Sequence, residues 1–224
     1  MNPSILEQGG ALSAVIACRD DAARVTRAVR EASRVADEVI VVDGGSSDDT
    51  VALARRAGAR VINAPPLRAG QFNAGAEAAV GDVLLLLDVD AALAPEAAAG
   101  VRSALADESV RAGSFRVRYE PDSRRGRLAA WLMHGANAVG AVSTPTGLFV
   151  RRRAYLAAGG LRESALLPRL DLLRRVRGRT VYLAEHAMRV SARRLPRTPV
   201  RALALWALLR ALYALGVTSW AAAR

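Results

Sequence analysis

The chain has 224 residues, 52% of them hydrophobic, enough for a sizeable buried core, and this composition excludes intrinsic disorder. Its formal net charge is +11, and all 32 basic residues are arginine. Nucleic acid is a poor partner for that charge, because only 4% of the residues are aromatic and no stacking side chains interleave the arginine runs.

The first element expected is a strand over residues 12–17. The stretch before it has neither a basic region nor a long apolar core, so no signal peptide is expected there. After the strand, Val25, Ala28, Val29, Ala32 and Val35 recur at helical spacing. Cys18 is the only cysteine, so no intrachain disulfide can form; a reducing cytoplasmic setting and a packed thiol are expected.

Residues 38–42 read as a second strand, and Asp43-Gly44-Gly45-Ser46-Ser47-Asp48-Asp49-Thr50 leads from it into a helix over 51–57. Ser47, Asp48 or Asp49 can cap that helix, which accounts for the second half of the segment. Asp43 stands at the strand tip beside two glycines that admit close backbone approach. It has the chemistry to hydrogen-bond the base or ribose of a nucleoside.

A third strand is expected around Val61 and Ile62, and a fourth over 83–87, closed by Asp88-Val89-Asp90. Side chains alternate along a strand and the chain is free to turn after it, so both carboxylates can reach one Mg²⁺ or Mn²⁺. The same pattern also occurs as a turn or helix cap. Strands alternating with helical stretches imply a mostly parallel central sheet flanked by helices. Ligands then bind at the carboxyl ends of the strands, where Asp20, Asp43, Asp88 and Asp90 fall.

Beyond residue 110 the regularity weakens: 115–119 alternates like a strand and 124–139 reads as a helix. Charge divides the chain at the same place. Residues 1–110 hold 10 Arg against 16 acidic residues, and residues 111–224 hold 22 Arg against 5, a net of −6 followed by a net of +17. A GC-rich genome accounts for arginine in place of lysine, but the asymmetry still needs a partner. A diphosphate clamped between the two halves suits it, with Arg193 and Arg194 as bidentate donors. An anionic membrane surface or an anionic acceptor suits it equally.

His134 and His186 are isolated and expected to be structural; His186 is close enough to the basic loop to be a third metal-ligand candidate. Residues 199–217 have no uninterrupted apolar run of the roughly 18 to 20 residues that a spanning helix needs. Wound as a helix, they place Leu205, Leu208, Leu212 and Leu215 in one stripe, with Trp206, Arg210 and Tyr213 towards the other side. The stripe is expected to pack on the domain. The opposite face is expected to meet a second copy of the chain or a lipid surface, with burial under a neighbouring segment as the alternative.

With the Asp43 segment followed by Asp88-Val89-Asp90, the chain resembles the family-two glycosyltransferases of the GT-A fold. In that family a strand ending in Asp-Gly-Ser-Ser-type residues holds the nucleoside, and a later Asp-x-Asp holds the metal on the sugar-nucleotide diphosphate. Arg68-Ala69-Gly70-Gln71-Phe72-Asn73-Ala74-Gly75 is similar to the family's Arg-x-x-Gln-x-Asn-x-Gly helix. Thr146-Gly147-Leu148-Phe149-Val150-Arg151-Arg152 is similar to its acceptor-side strand, and Ser191-Ala192-Arg193-Arg194 to its late basic loop. The likeness covers nearly the whole chain and is nearest to small bacterial members assigned to arsenosugar biosynthesis.

The resemblance implies a single α/β domain of GT-A type over residues 1–224 with a C-terminal helix. Residues 1–110 would form the nucleotide and metal half, and 111–224 the acceptor half. It implies donor contacts at Cys18, Asp20, Asp43, Gly44, Arg68, Asn73, Asp88, Arg193 and Arg194, metal ligation by Asp90 with Asp88, and an acceptor side at Gly147. Three positions depart from the family pattern. Pro168-Arg169 stands where members carry a Glu-Asp pair whose Asp is the base on the acceptor hydroxyl, and a guanidinium cannot accept that proton. Thr144-Pro145-Thr146-Gly147 replaces Gly-Asp-Gln-Gly, and Asp20-Asp21 replaces Asn-Glu. Asp171, at the start of a helix expected over 170–176, is the substitute base, or it caps that helix or pairs with Arg174 or Arg175.

Three functional readings follow. The first is metal-dependent transfer from a nucleoside-diphosphate sugar to an unknown acceptor, in the cytoplasm and peripheral to the inner face of the membrane. The second is a non-catalytic relative that binds nucleotide sugar or a partner subunit. The third is a phosphohydrolase of the haloacid-dehalogenase type, which leaves the Asp43 segment unexplained. Sugar nucleotidyltransferases share the general architecture, but their Gly-rich, Arg-containing loop is absent from residues 14–21.

Overall fold

Apolar runs that contain no polar break become the central strands, because a strand covered by helices on both sides must be apolar on both faces. The computed structural model describes residues 10–138, 147–165, 167–192, 208–209, 211–213 and 215–216. Its first half runs β1 (Leu12–Cys18), α1 (Ala22–Ala32), β2 (Glu38–Asp43), α2 (Thr50–Arg56), β3 (Arg60–Asn63), α3 (Arg68–Ala78), β4 (Val83–Asp88), β5 (Ala91–Leu93) and α4 (Glu96–Ala106). The second half continues with β6 (Val110–Glu120), α5 (Arg124–Ala138), β7 (Leu148–Arg151), α6 (Arg152–Ala157), α7 (Pro168–Arg175) and β8 (Arg179–Ser191).

The strands form one sheet in the order β3-β2-β1-β4-β7-β6-β8-β5. β3, β2, β1 and β4 are mutually parallel, as the alternation of strands and helices predicts. The far half is mixed: β7 runs antiparallel to both β4 and β6, β8 is parallel to β6, and β5 is antiparallel to β8. Alternate residues of each inner strand feed two separate cores. Ile16, Val41 and Leu85 pack with Val25, Val29 and Phe149 on one face, while Val15, Ile40, Val42 and Leu84 pack with Phe72 and Tyr155 on the other.

The second core brings α3 hard against the sheet. A Cβ at Gly75 would overlap Val15 and come within 3.0 Å of Val42, so only glycine lets the helix settle at this depth. That seating fixes the height of Arg68, Gln71 and Phe72 one and two turns earlier on the same helix.

The C-terminal segment corrects one expectation. Residues 208, 209 and 211–213 are helical, but Leu208 and Leu215 are 55% and 81% exposed whereas Tyr213 is only 2% exposed. The Tyr213 ring lies 4.4 Å from the Arg174 guanidinium, and its hydroxyl donates to Asp171 at 3.4 Å. An aromatic that finds both a cation and a hydrogen-bond acceptor gains more from the inner position than a leucine does, so Leu208 and Leu215 face outward. Leu205, Trp206 and Arg210 lie outside the described residues. Among the described residues, no helix is long and apolar enough to cross a membrane.

Candidate functional site

The parallel strands end together. Register places Cys18 of β1 opposite Asp43 of β2, and Ala17 opposite Asp88 of β4. With strands about 4.8 Å apart, two carboxylates from distant parts of the sequence therefore flank the tip of β1.

Asp43 is buried and organises its own loop. One carboxylate oxygen accepts from the backbone N–H groups of Gly45 and Ser46, each at 3.0 Å, and the other accepts from the Ser46 hydroxyl. A carboxylate has about four acceptor positions, so this pattern leaves room for one further donor. Asp20, with a φ of 51°, reaches the same loop by accepting from the Ser47 N–H at 2.8 Å and hydroxyl at 3.1 Å, while Ser46 accepts from the Asp20 N–H at 2.9 Å. The first and second strand-to-helix loops are thereby sewn into one rim.

Cys18 presents its backbone, and not its thiol, at the strand tip. Its thiol is buried in the core against the Val42 carbonyl, and its pKa is pushed up to about 12 by burial and by the nearby Asp43 carboxylate. Its carbonyl accepts from Gly44 N–H and from Gln71 Nε2, both at 2.9 Å. Gln71 also donates to the Val42 carbonyl at 2.9 Å, tying the β1 and β2 ends to α3. Its place in the Arg-x-x-Gln motif is the sequence signal for this residue.

Asn73 is engaged within the fold. It accepts from the Tyr155 hydroxyl at 2.5 Å and the Leu161 N–H at 2.9 Å, and donates to the Leu161 carbonyl at 2.9 Å. These hydrogen bonds tie α3 to α6 and to the loop after it, because Asn73 lies two residues from Gln71, on the opposite side of the helix.

The charged centre of the site is Asp88, 1% exposed at the end of β4. Arg68, in the first turn of α3, pairs with Asp88 Oδ1, and Arg169, in the first turn of α7, brings Nη2 to 3.6 Å from the same oxygen. Both guanidinium groups also lie over the Phe72 ring, at 5.9 Å and 5.7 Å from its centroid. The residue that replaces the family's base thus enters the site as a cation, a position that needs the docking of α7 and has no signature in the local sequence.

Asp90 follows in the turn between β4 and β5, where its carbonyl accepts from the Ser191 N–H at 3.3 Å. β8 ends at Ser191, and Arg193 and Arg194 lie outside the described residues. Gly147, at φ 69°, precedes β7 with Met188 filling the space a side chain would need. His134 bonds Tyr182 at 3.1 Å, and His186 packs on Gly100 of α4, on a different part of β8 from the end beside Asp90. His186 therefore does not join the carboxylates.

Residues 13–154, more than half of the chain, match the family model described as Glycosyl transferase family 2. The chain belongs to glycosyl transferase family 2. The phosphohydrolase reading falls with that match. An uncharacterized glycosyltransferase of Rickettsia conorii is 40% identical over 97 residues, and one of Rickettsia felis is 43% identical over 86. These matches take in 43% and 38% of this chain but 33% and 30% of the relatives, so the chain spans about a third of the length of the curated relatives it matches. Among solved structures, glucosyl-3-phosphoglycerate synthase from Mycobacterium tuberculosis, in complex with Mn²⁺, UDP and phosphoglyceric acid, has a TM-score of 0.61 at 19% identity. That likeness covers 89% of this chain and 75% of the other. The same enzyme with Mn²⁺, UDP-glucose and phosphoglyceric acid gives 0.57 at 20% identity, covering 82% and 73%. These likenesses establish the fold, a mixed sheet flanked by helices.

Within this family-two frame, the donor set fits a hard divalent cation. Asp88 and Asp90 offer carboxylate oxygens at one strand end, the ligand type that Mg²⁺ and Mn²⁺ prefer. No group of three or more His, Cys, Asp or Glu side chains that could hold a metal ion forms among the described residues. Asp171, by contrast, faces away from the site. Residues two apart on a helix point about 200° apart, so with Arg169 turned to Asp88, Asp171 turns to the interior, where Arg175 holds it at 2.7 Å. Of the roles expected of Asp171, the structure shows the pairing with Arg175.

Proposed function

We propose that this chain transfers a sugar from a nucleoside-diphosphate sugar to an acceptor, with the donor lying across the tips of β1, β2 and β4. The observation that carries the reading is the convergence of Asp43, Asp88, Arg68 and Arg169 at the ends of adjacent strands. Asp43 takes the nucleoside with the acceptor position its loop leaves open, and the Asp20 rim shapes the entrance. Arg68 turns from Asp88 to a phosphate oxygen. Asp90 and Asp88 hold Mg²⁺ or Mn²⁺, which offsets the negative charge of the diphosphate and of the departing nucleotide. Arg193 and Arg194, which follow β8 in the chain, complete the phosphate contacts, and Gly147 borders the acceptor side. UDP-glucose and Mn²⁺ together in the mycobacterial synthase support this donor and ion. The likeness over nearly the whole chain extends the reading to the small bacterial arsenosugar-type group, and the Arg68 to Gly75 motif supports the family.

A second reading, donor binding without transfer, is favoured by the Arg169 guanidinium in the place of the base and by the commitment of Asp171 to Arg175. Calorimetry with UDP and GDP, with and without Mn²⁺, tests both. The proposal expects metal-dependent binding, weakened at least about tenfold in Asp43→Ala and Asp90→Ala. Equal, metal-independent affinity in all three proteins removes the site. Binding without release of nucleoside diphosphate from any sugar nucleotide and acceptor pair favours the second reading.

A further inference from the structure

β4 and β6 run in the same direction, because β7 lies between them antiparallel to both. Leu86 of β4 is opposite Leu148 of β7, and Leu148 is opposite Ser114 of β6. Two residues further along each strand stand Asp88 and Arg116, so Arg116 is abreast of Asp88 at two strand spacings, about 10 Å. β4 stops there, whereas β6 runs on to Glu120. In this overhang Arg116 and Arg118 are exposed and alternate with Val117 and Tyr119, which are buried in the core. The two guanidinium groups therefore leave β6 on the other face, the one on which Leu86 and Leu148 pack with Phe72.

Between this overhang and α5 lies a cavity of about 390 Å³, whose lining includes Arg116, Arg118, Asp122, Arg127, Trp131 and His134. Apart from His134, its charged members are three arginines and one aspartate, a net of +2, with Arg127 paired to Asp122 at 3.0 Å. A phosphate monoester carries about −1.5 to −2 at neutral pH, which two guanidinium groups match; a carboxylate, with a single charge, leaves one in excess. Trp131 is 69% exposed, so its indole offers a flat apolar face to whatever enters, and His134 is held beside it by Tyr182 at 3.1 Å. A cavity of this volume suits a small molecule.

We infer that this cavity binds a phosphate monoester, with the phosphate held by Arg116 and Arg118 and a ring or apolar body lying against Trp131. Resting on the donor reading above, the ligand is the acceptor, because the cavity lies on the acceptor half and Arg116 stands abreast of Asp88. The spacing of two strands leaves room for the body of the ligand between its phosphate and the donor sugar.

Calorimetry on the full chain tests this with glucose 6-phosphate, glucose and inorganic phosphate as probes, each with and without UDP and Mn²⁺. Glucose 6-phosphate is expected to bind more tightly than inorganic phosphate, and glucose is expected not to bind. Arg116→Gln/Arg118→Gln should weaken glucose 6-phosphate at least about tenfold and more than it weakens UDP. Trp131→Ala should weaken glucose 6-phosphate more than inorganic phosphate. All three residues are exposed, and thermal melts establish that the variants are folded. Sedimentation with phosphatidic acid vesicles, against phosphatidylcholine vesicles, distinguishes a lipid source of the same phosphate monoester; pelleting that is lost in the double arginine variant supports the site and assigns it to lipid. A parent that binds neither glucose 6-phosphate nor phosphatidic acid overturns the inference and leaves the donor reading intact. Undiminished binding in the double arginine variant also overturns it. Competition between UDP and glucose 6-phosphate overturns the acceptor assignment by placing the cavity within the donor site. A parent that binds glucose 6-phosphate but no nucleoside diphosphate supports the phosphate site and removes the donor reading.

Discussion

Asp171 and Arg175, one turn apart on α7, form an ion pair at 2.7 Å, and the same guanidinium donates to the carbonyls of Ala158 and Gly160. The pair closes the loop after α6 onto α7 and so holds Arg169 at the site. Asp171→Asn strands a largely buried cation, and a loss of about 3 kcal/mol in urea denaturation is expected. UDP binding should persist in the folded fraction. A variant with undiminished stability and abolished transfer would instead make Asp171 a base.

Asp88 balances two arginines, so its removal should be felt on both sides. Asp88→Asn leaves Arg68 and Arg169 close together over Phe72 without their common anion. Loss of metal-dependent UDP affinity, with weak metal-independent affinity for diphosphate retained through the freed guanidinium groups, is the expected result in calorimetry. Retention of the parent's metal response would show that Asp90 alone holds the ion.

The thiol of Cys18 bears on alkaline stability. Its folded pKa is raised from 9.0 to about 12, so between those values the unfolded chain releases a proton that the folded chain keeps. Unfolding then becomes easier as pH rises, by up to about 1.4 kcal/mol per pH unit, and the contribution is constant below pH 9. Burial also raises the phenols of Tyr119 and Tyr155, which extends the trend upward. Urea midpoints at rising pH should fall less steeply in Cys18→Ala than in the parent. The native thiol should resist alkylation at pH 8 and react fully once unfolded.

Gly147 combines a left-handed φ of 69° with a side chain packed where its Cβ would stand. Gly147→Ala should cost about 1 to 2 kcal/mol from the backbone and more from the overlap with Met188. Thermal melting of Gly147→Ala alone and with Met188→Ala separates the two. The double variant should recover the overlap part, and no recovery would locate the whole cost in the backbone.

The amino-acid sequence by itself determined the parallel half of the sheet. Residues 39–42 and 83–87 are apolar without interruption because they are buried on both faces, and a chain of that composition has no competing amphipathic arrangement to adopt. Each such run stops at an aspartate, so the carboxylates at the strand ends were legible one by one. Their meeting was implied by the strand and helix alternation, since parallel strands present the same end to the same side. β8 was not legible: arginines and a glutamate interrupt its pattern, its burial is only partial, and its register with β6 shifts between Phe115 and Arg116. Only the tertiary structure decided which way the side chains of α7 and of the C-terminal segment turn. Arg169 and Asp171 sit two residues apart and point to opposite sides, and Tyr213 takes the inner place expected of Leu208 and Leu215 because Arg174 and Asp171 lie beneath it. Periodicity gives the angle between neighbours on a helix, but the absolute rotation of that helix is set by what it docks against.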